Sequence, residues 1–434
     1  MSDENSTSMR RALSIANIGM GVAGSYLGYA LQHAFLGEAE RGAKLKATHT
    51  RAARRMADEM KTLRGAAMKL GQTLSLQTGT LPDEALAELA TLQMNAPPMH
   101  PSLVRAQFKQ SLGAEPEDIF KQFDSEPFAA ASLGQVHHAL TRKGEKVAVK
   151  IQYPGIRQSL ANDFKMFRAL SKPAQASGHI PKGAIDEVEK QIVSETDYRR
   201  EADNIEFFHQ HLAPLSFVEV PRVLPEYSSD KVLTMTLMKG EHLDDFLARR
   251  PSQKLRNELG EHLFDLFYFQ VLNVEALHAD PHWGNYLFTR NAGISLVDFG
   301  CAKYMSRATV SYLRAGFLYP GSTRSAEFGR LLEKYYKDEG RDLPAATRKA
   351  LIGFAENFYR KVYPPDGDQE KPFDFGDPQF LKDFLTASKE LFRAKGVLSE
   401  LIFMVRAEMG MYQTLHRLKA KVRTSGIVRK YLSD

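Results

Sequence analysis

The sequence predicts an α+β chain: a small β-rich lobe, a larger helical lobe after it, and a helical extension ahead of both. Three observations predict this order. Residues 39–115 place apolar side chains at helical spacing, with Met60, Leu63, Ala67, Leu70 and Leu74 on one face. Residues 126–152 read as a β-hairpin, an apolar run closed by the turn LTRKGEK and the strand KVAVKIQ. Beyond Glu241 the pattern is mainly helical to the end. The boundaries expected from these shifts are 1–38, 39–115, 116–240 and 241–434.

Composition sets the limits. The chain has 434 residues, 43% hydrophobic and 25% charged, which is ample for a large core and excludes wholesale disorder. One cysteine, Cys301, excludes an internal disulfide framework and a cysteine zinc site. The net charge of +6 is a mild excess that suits an anionic ligand or an anionic membrane surface and gives no case for nucleic acid.

The N-terminal tail leads into an uncharged stretch. Residues 12–37 hold no Asp, Glu, Lys or Arg and are long enough to span a bilayer. Gly24 and Gly28 form a GxxxG pair, a strip on which two such helices can approach and form a homodimer. Arg10 and Arg11 precede the stretch, whereas Arg41, Lys44, Lys46, Arg51, Arg54 and Arg55 follow it. If it spans, the excess of positive charge puts the body of the protein on the cytoplasmic side, as at a bacterial inner membrane. Gly19, Gly21 and Gly24 match G-x-G-x-x-G, but no strand precedes them and no βαβ unit follows, so a dinucleotide site is not expected. At the other end, LSELIFMVRAEMGMYQ is interrupted by Arg406 and Glu408 and is not read as a span.

In the extension Pro82–Asp83 starts a second helix, and APPMHP at 96–101 ends the helical region. After the hairpin, residues 185–211 read as one long amphipathic helix, and 217–223 and 231–237 as strands. Residues 266–274 read as a buried helix, with short strands at 286–288 and 294–297.

The chemistry lies in an ordered set of residues. Phosphoryl transfer needs a lysine on the phosphates, a carboxylate to hold that lysine, carboxylate and amide ligands for magnesium, and an acid beside the attacking group. VAVK puts Lys150 at the end of a strand. Glu201 lies on the helix downstream and can pair with it. In LHADPHWGN, Asp280 and Asn285 are five residues apart, the spacing of the Asp and Asn in H-R-D-x-x-x-x-N. LVDFG then supplies Asp298, in a turn that binds magnesium in kinases. Each piece alone has a bland reading: a solvated strand end, a helix cap, a chance tripeptide. His278 and His282 are four apart, but Pro281 forbids the helix that such a metal pair needs. The glycine-rich phosphate loop of ordinary kinases is missing. FAAASLGQVH stands in its place, where Ala129, Ala130 and Ala131 restrict the backbone and Ser132 follows.

Four further marks stand in order: Lys69-Leu70-Gly71-Gln72, the alanine-rich stretch running into Leu133-Gly134-Gln135-Val136-His137, Glu195-Thr196-Asp197, and His278-Ala279-Asp280-Pro281-His282. Together they resemble the UbiB family of atypical kinase-like proteins, which includes the eukaryotic ADCK and coenzyme Q kinase-like proteins. The resemblance is strong over residues 55–310. Trp283, where the family commonly has proline, is a departure that removes no ligand.

The resemblance implies an atypical protein-kinase-like fold with ATP and Mg2+ as cofactors. Lys150 would be the nucleotide lysine, Glu201 its ion-pair partner, Asp280 the catalytic-loop aspartate, and Asn285 and Asp298 the metal ligands. The helix bearing Lys69, Gly71 and Gln72 would lie across the protein-substrate entrance, with Glu195 and Asp197 as regulatory partners. On the long helix, Asp197 and Glu201 are expected to share a face and Glu195 to point elsewhere. The implied activity is ATP hydrolysis or phosphoryl transfer supporting ubiquinone biosynthesis at a membrane. The implied partners are membrane lipids or quinone precursors and other quinone-biosynthesis proteins. The alternatives are a non-catalytic nucleotide-binding scaffold and a small-molecule kinase.

Overall fold

The computed structural model describes residues 98–131, 133–176, 184–278, 283–317, 319–364, 368–394 and 396–432, with 40, 41, 44, 47, 48, 50, 51 and 54 before them. The chain divides into two compact units, residues 1–199 with 224–234, and residues 200–223 with 235–434. It is an α+β fold in which a β-rich region is followed by a larger helical one. Residues 12–37 and 69–72 lie outside the described residues, and among those described no helix is long and apolar enough to cross a membrane.

In the first unit, Pro101 opens the helix Pro101–Leu112, where its missing N–H costs nothing, and Gly113 closes it at φ 77. The helix covers one face of a five-stranded sheet. Its strands are β1 (Phe120–Phe123), β2 (Ala129–Ala131), β3 (Gly134–Thr141), β4 (Lys146–Gln152) and β6 (Val232–Thr236), with β5 (Val218–Glu219) falling between β4 and β6 in the chain. The order is β1-β3-β4-β6, with β2 also on β3. The β3–β4 hairpin is antiparallel, with Val136 opposite Lys150 and His137 opposite Val149. Val104, Phe108, Phe120, Val147, Val149, Ile151 and Val232 form the core between helix and sheet.

Two expectations change here. The alanine-rich stretch is a strand, not a loop: Ala129, Ala130 and Ala131 pair with Val136, Gln135 and Gly134. Their backbone is not in the left-handed region, so glycine at these positions would relieve no strain there. The helix expected over 185–211 is two helices, Ala184–Ser194 and Tyr198–His211. Residues 195–197 turn through short-range bonds, Glu195 N–H to the Ile192 carbonyl at 3.2 Å and Asp197 N–H to the Ser194 carbonyl at 3.2 Å. Asp197 therefore stands before the second helix, at its N-cap position, and does not share a helical face with Glu201. A helix Ile156–Ala176 also fills a region to which the sequence reading gave no element.

In the second unit, β5 runs parallel to β9 (Ile294–Leu296), which pairs antiparallel with β8 (Tyr286–Phe288). The strand expected over 217–223 is thus only two residues long. Two strands not expected, β7 (Ala276–His278) and β10 (Ala302–Tyr304), pair antiparallel with each other. The helix Gln253–Phe269 is capped by Ser252, which accepts from Leu255 N–H, and continues into a wider π turn, Gln270–Val274. The helix Ser399–Leu418 carries Glu408, fully buried. The hydroxyls of Tyr268 at 3.0 Å, Tyr359 at 3.3 Å and Tyr363 at 3.4 Å donate to its carboxylate. Burial pushes its carboxyl up to about 7, those hydroxyl donors offsetting part of the rise.

Candidate functional site

In the first unit, Lys150 is buried on β4, the apolar strand KVAVKIQ. Its Nζ lies 5.3 Å from the centroid of the Tyr198 ring, a cation–π distance, and Tyr198 is itself buried. A buried ammonium needs such compensation. Beside β4, the strand β3 begins at Gly134. A β-carbon on Gly134 would fall 2.2 Å from the Ile151 carbonyl oxygen and 2.8 Å from the Tyr198 hydroxyl, so only glycine lets β3 pass that close to β4.

A polar relay fixes the base of the hairpin. Gln135, paired with Ala130, accepts from Met99 N–H at 2.7 Å through its Oε1. Its Nε2 is 2.7 Å from His137 Nε2, and His137 Nδ1 is 2.7 Å from the Asp124 carbonyl. A carbonyl only accepts and an amide nitrogen only donates, so His137 is neutral with its proton on Nδ1. Burial, opposed by the Asp124 carbonyl and by Glu126 and Asp124, pulls its pKa below the usual range.

The Glu195–Thr196–Asp197 turn is held by its middle residue. Thr196 is fully buried, its carbonyl accepting from Gln152 Nε2 at 2.8 Å and from Arg157 at 2.9 Å, while its hydroxyl donates to the Val193 carbonyl at 2.7 Å and accepts from Arg157 Nε at 3.0 Å. The two carboxylates flank this anchor and are half-buried.

In the second unit, Asp298 sits at φ 66, in the left-handed region. Such a conformation costs a non-glycine residue about 1 kcal/mol or more and persists only where neighbours over-determine it. Three hydrogen bonds do so. His278 Nε2 donates to the Asp298 carbonyl at 2.6 Å, Gly300 N–H donates to Asp298 Oδ1 at 3.2 Å, and Asn204 Nδ2 donates to the Phe299 carbonyl at 2.9 Å. The His278 backbone N–H is in turn bound by Gln270 Oε1 at 2.8 Å. Asn285 stands just before β8, where its carbonyl accepts from Val297 N–H at 3.0 Å. The β8–β9 ladder thus brings Asn285 and Asp298 to the same end of one hairpin. The Asn285 side chain is buried, and among the described residues its Nδ2 has no hydrogen-bond partner. A half-turn of that amide presents its oxygen instead. An amide oxygen beside a carboxylate is a donor set for a hard divalent cation, so these two residues fit magnesium.

Lys150, Ala129, Ala130, Ala131, Glu195 and Asp197 fall in the first unit, and Glu201, Asn285 and Asp298 in the second. Glu201 is buried. Ser132, Asp280, Lys69, Gly71 and Gln72 lie outside the described residues. The sequence reading missed Asn204, Gln270 and the role of His278. Asn204 carried a signal: it is three residues after Glu201, on the same helical face. His278 was weighed only as half of a metal pair. It lies instead in β7, bound to the Asp298 backbone.

A sheet with a buried lysine, a helical region after it, and an Asp-Phe-Gly turn beside an asparagine define an atypical kinase-like protein. The chain belongs to the ABC1 atypical kinase-like family, the UbiB/ADCK group: the family model matches residues 91–320, more than half of it. It is 27% identical over 398 residues to the probable serine/threonine-protein kinase abkA of Dictyostelium discoideum, covering 87% of this chain and 70% of that one. It is 31% identical over 333 residues to the mitochondrial atypical kinase COQ8 of Saccharomyces cerevisiae, covering 74% of this chain and 64% of that one. For the chloroplastic ACTIVITY OF BC1 COMPLEX KINASE 8 of Arabidopsis thaliana, the identity is 35% over 242 residues and the match spans 32% of the relative. The solved complex of Rv3197 with erythromycin from Mycobacterium tuberculosis superposes with a TM-score of 0.59 at 23% identity, over 91% of this chain and 98% of that one. That likeness concerns the fold alone.

Proposed function

We propose that this protein is an ATP- and Mg2+-dependent atypical kinase or ATPase that supports ubiquinone biosynthesis at a membrane. The observation that carries the reading is the Asp298 turn, held in a strained conformation beside an Asn285 amide with an unpartnered, buried nitrogen. Stored strain of this kind needs a reason, and a metal ligand that must point one way supplies it. Bound magnesium would neutralise phosphate charge, with Asn285 and Asp298 holding it. Lys150 would orient the phosphates, Glu201 would hold Lys150, and Asp280 would take the proton of the attacking group. The quinone link rests on family membership and on relatives such as the mitochondrial COQ8 kinase. Residues 12–37 are the proposed membrane attachment, with the catalytic body on the cytoplasmic side and lipids or quinone precursors as partners.

The test is ATP turnover by purified protein, with and without lipid vesicles and quinone-precursor mimics, beside Asp280→Asn and Asp298→Asn. Turnover raised by lipid, lost in the first variant, and with its magnesium requirement increased in the second is expected. Stoichiometric ATP binding without turnover under every condition would replace the enzyme with a nucleotide-binding scaffold.

A further inference from the structure

Asn204 is a buried polar residue, 3% exposed, on the helix Tyr198–His211. Its two side-chain atoms have separate tasks. Nδ2 donates to the Phe299 carbonyl at 2.9 Å, and Oδ1 accepts from the Tyr304 hydroxyl at 3.1 Å. A carbonyl cannot donate, so the nitrogen must face Phe299 and the amide has one orientation. The two partners bracket the segment that runs from the Asp298 turn to the end of β10. One side chain therefore holds both ends of that segment.

The same helix also meets the segment through rings. Phe208 lies 5.7 Å from Phe299, and Phe207 lies 5.2 Å from Tyr304, centroid to centroid. Ring contacts hold over centroid separations of about 4.5–7 Å and so tolerate some sliding. The amide does not: it fixes the position of the helix against the Phe299 peptide. Of the three bonds that hold Asp298 at φ 66, one comes from β7 and one from within the turn, where it uses an oxygen of the carboxylate itself. Asn204 supplies the third, from the helix.

We propose that Asn204 is the positioning residue of the Asp298 turn, setting its readiness for a divalent cation by tying the Glu201 helix to the Phe299 backbone and to Tyr304. Asn204 does not touch the cation. It acts through Asp298, so a shift of the helix that carries Glu201 is passed to the metal turn. The cation half of this proposal rests on the function proposed above, whereas the positioning half concerns the ligand-free protein.

The experiment uses the full chain, with Asn204→Ala, Asn204→Asp and Tyr304→Phe. The first readout is backbone amide hydrogen exchange over residues 298–304 without ligand. The second is the magnesium concentration giving a half-maximal thermal shift at fixed ATP. Loss of one buried hydrogen bond should raise that concentration about tenfold in Asn204→Ala. Asn204→Asp should do at least as much, because a carboxylate would face the Phe299 carbonyl. Tyr304→Phe, which removes only the second partner, should give a smaller rise. Exchange should quicken over 298–304 and stay unchanged in the β8–β9 hairpin. Wild-type exchange over 298–304 in both Asn204→Ala and Tyr304→Phe overturns the positioning role. Faster exchange spread through the unit, or failure of the Asn204 variants to fold while Tyr304→Phe exchanges as wild type, reduces Asn204 to a structural residue and overturns it too. Faster local exchange with an unchanged magnesium requirement overturns the cation half. If the wild type shows no magnesium-dependent shift with ATP, the proposed function fails, and exchange alone decides the positioning claim.

Discussion

Replacing Glu408 with glutamine should change how the protein's stability depends on pH. Glu408 is fully buried among the hydroxyls of Tyr268, Tyr359 and Tyr363, and its carboxyl is pushed from 4.5 up to about 7. Burial disfavours the charged form, and the hydroxyl donors recover part of that cost. The folded state therefore holds its proton more tightly than the unfolded chain. The associated stability is fully present below the unfolded value near 4.5 and is lost as pH rises through about 7. At about 1.4 kcal/mol per unit, the loss approaches roughly 3 kcal/mol above the folded pKa. Glutamine fills the same space, can both donate to and accept from tyrosine hydroxyls, and does not ionise. Glu408→Gln should lie close to wild type, or slightly below it, at pH 5, and should gain on it steadily to pH 8.5. At about 2–4 °C per kcal/mol for a unit of this size, the gap in Tm should move by roughly 6–12 °C. Thermal unfolding of both proteins in matched buffers across that range measures it. A gap that stays constant from pH 5 to pH 8.5 would refute the reasoning, because it would mean that Glu408 does not change ionisation on folding.

Two further outcomes concern the first unit. Gly134→Ala places a methyl 2.2 Å from the Ile151 carbonyl oxygen, against backbone that cannot step aside cheaply. It should destabilise the sheet by about 1–3 kcal/mol and weaken ATP binding, read by denaturant unfolding and calorimetry. An alanine variant as stable as wild type would show that β3 and β4 can separate there freely. His137 is held neutral by burial, so the unfolded chain takes up a proton first and stability falls as pH drops below the ordinary histidine value of 6.5. Protonation would also set N–H against N–H at Gln135, loosening the tie to Met99. His137→Gln should flatten the acid side of the stability profile, and an unchanged profile in unfolding experiments between pH 5 and 7 counts against this account.

The β3–β4 hairpin was legible because the apolar strand KVAVKIQ follows a turn rich in charge and bearing Gly144, and burial leaves few other uses for such a run. The order Lys150, Glu201, Asn285, Asp298 was legible because ligand chemistry restricts residue type and spacing together. The break at 195–197 was not, since apolar residues keep helical spacing on both sides and local periodicity carries no sign of an interruption fixed by Arg157 and Gln152 from elsewhere in the chain. The pairing of β7 with β10 was hidden for a similar reason: three-residue strands more than twenty positions apart leave no local pattern. The alanine run was read as a loop because it stands in the place of the glycine-rich phosphate loop of ordinary kinases, and pairing with β3 makes it a strand. Glu408 showed how the same observation can mislead in part. A charge in an apolar run argued against a membrane span, yet nothing local told that tyrosines over 40 residues away would let it be buried.

The turn at residues 195–197 has a mechanical consequence. An unbroken helix over 185–211 would behave as a stiff rod, and twisting one end would turn the other. Here Glu195, Thr196 and Asp197 interrupt the regular ladder, and each contributes two soft dihedrals. Thr196 is clamped by Gln152 and Arg157. It acts like a bearing: fixed in place, with a shaft leaving on either side. The ladder that would carry a twist between Ala184–Ser194 and the Tyr198–His211 helix, which bears Glu201 and Asn204, is therefore interrupted at these three residues.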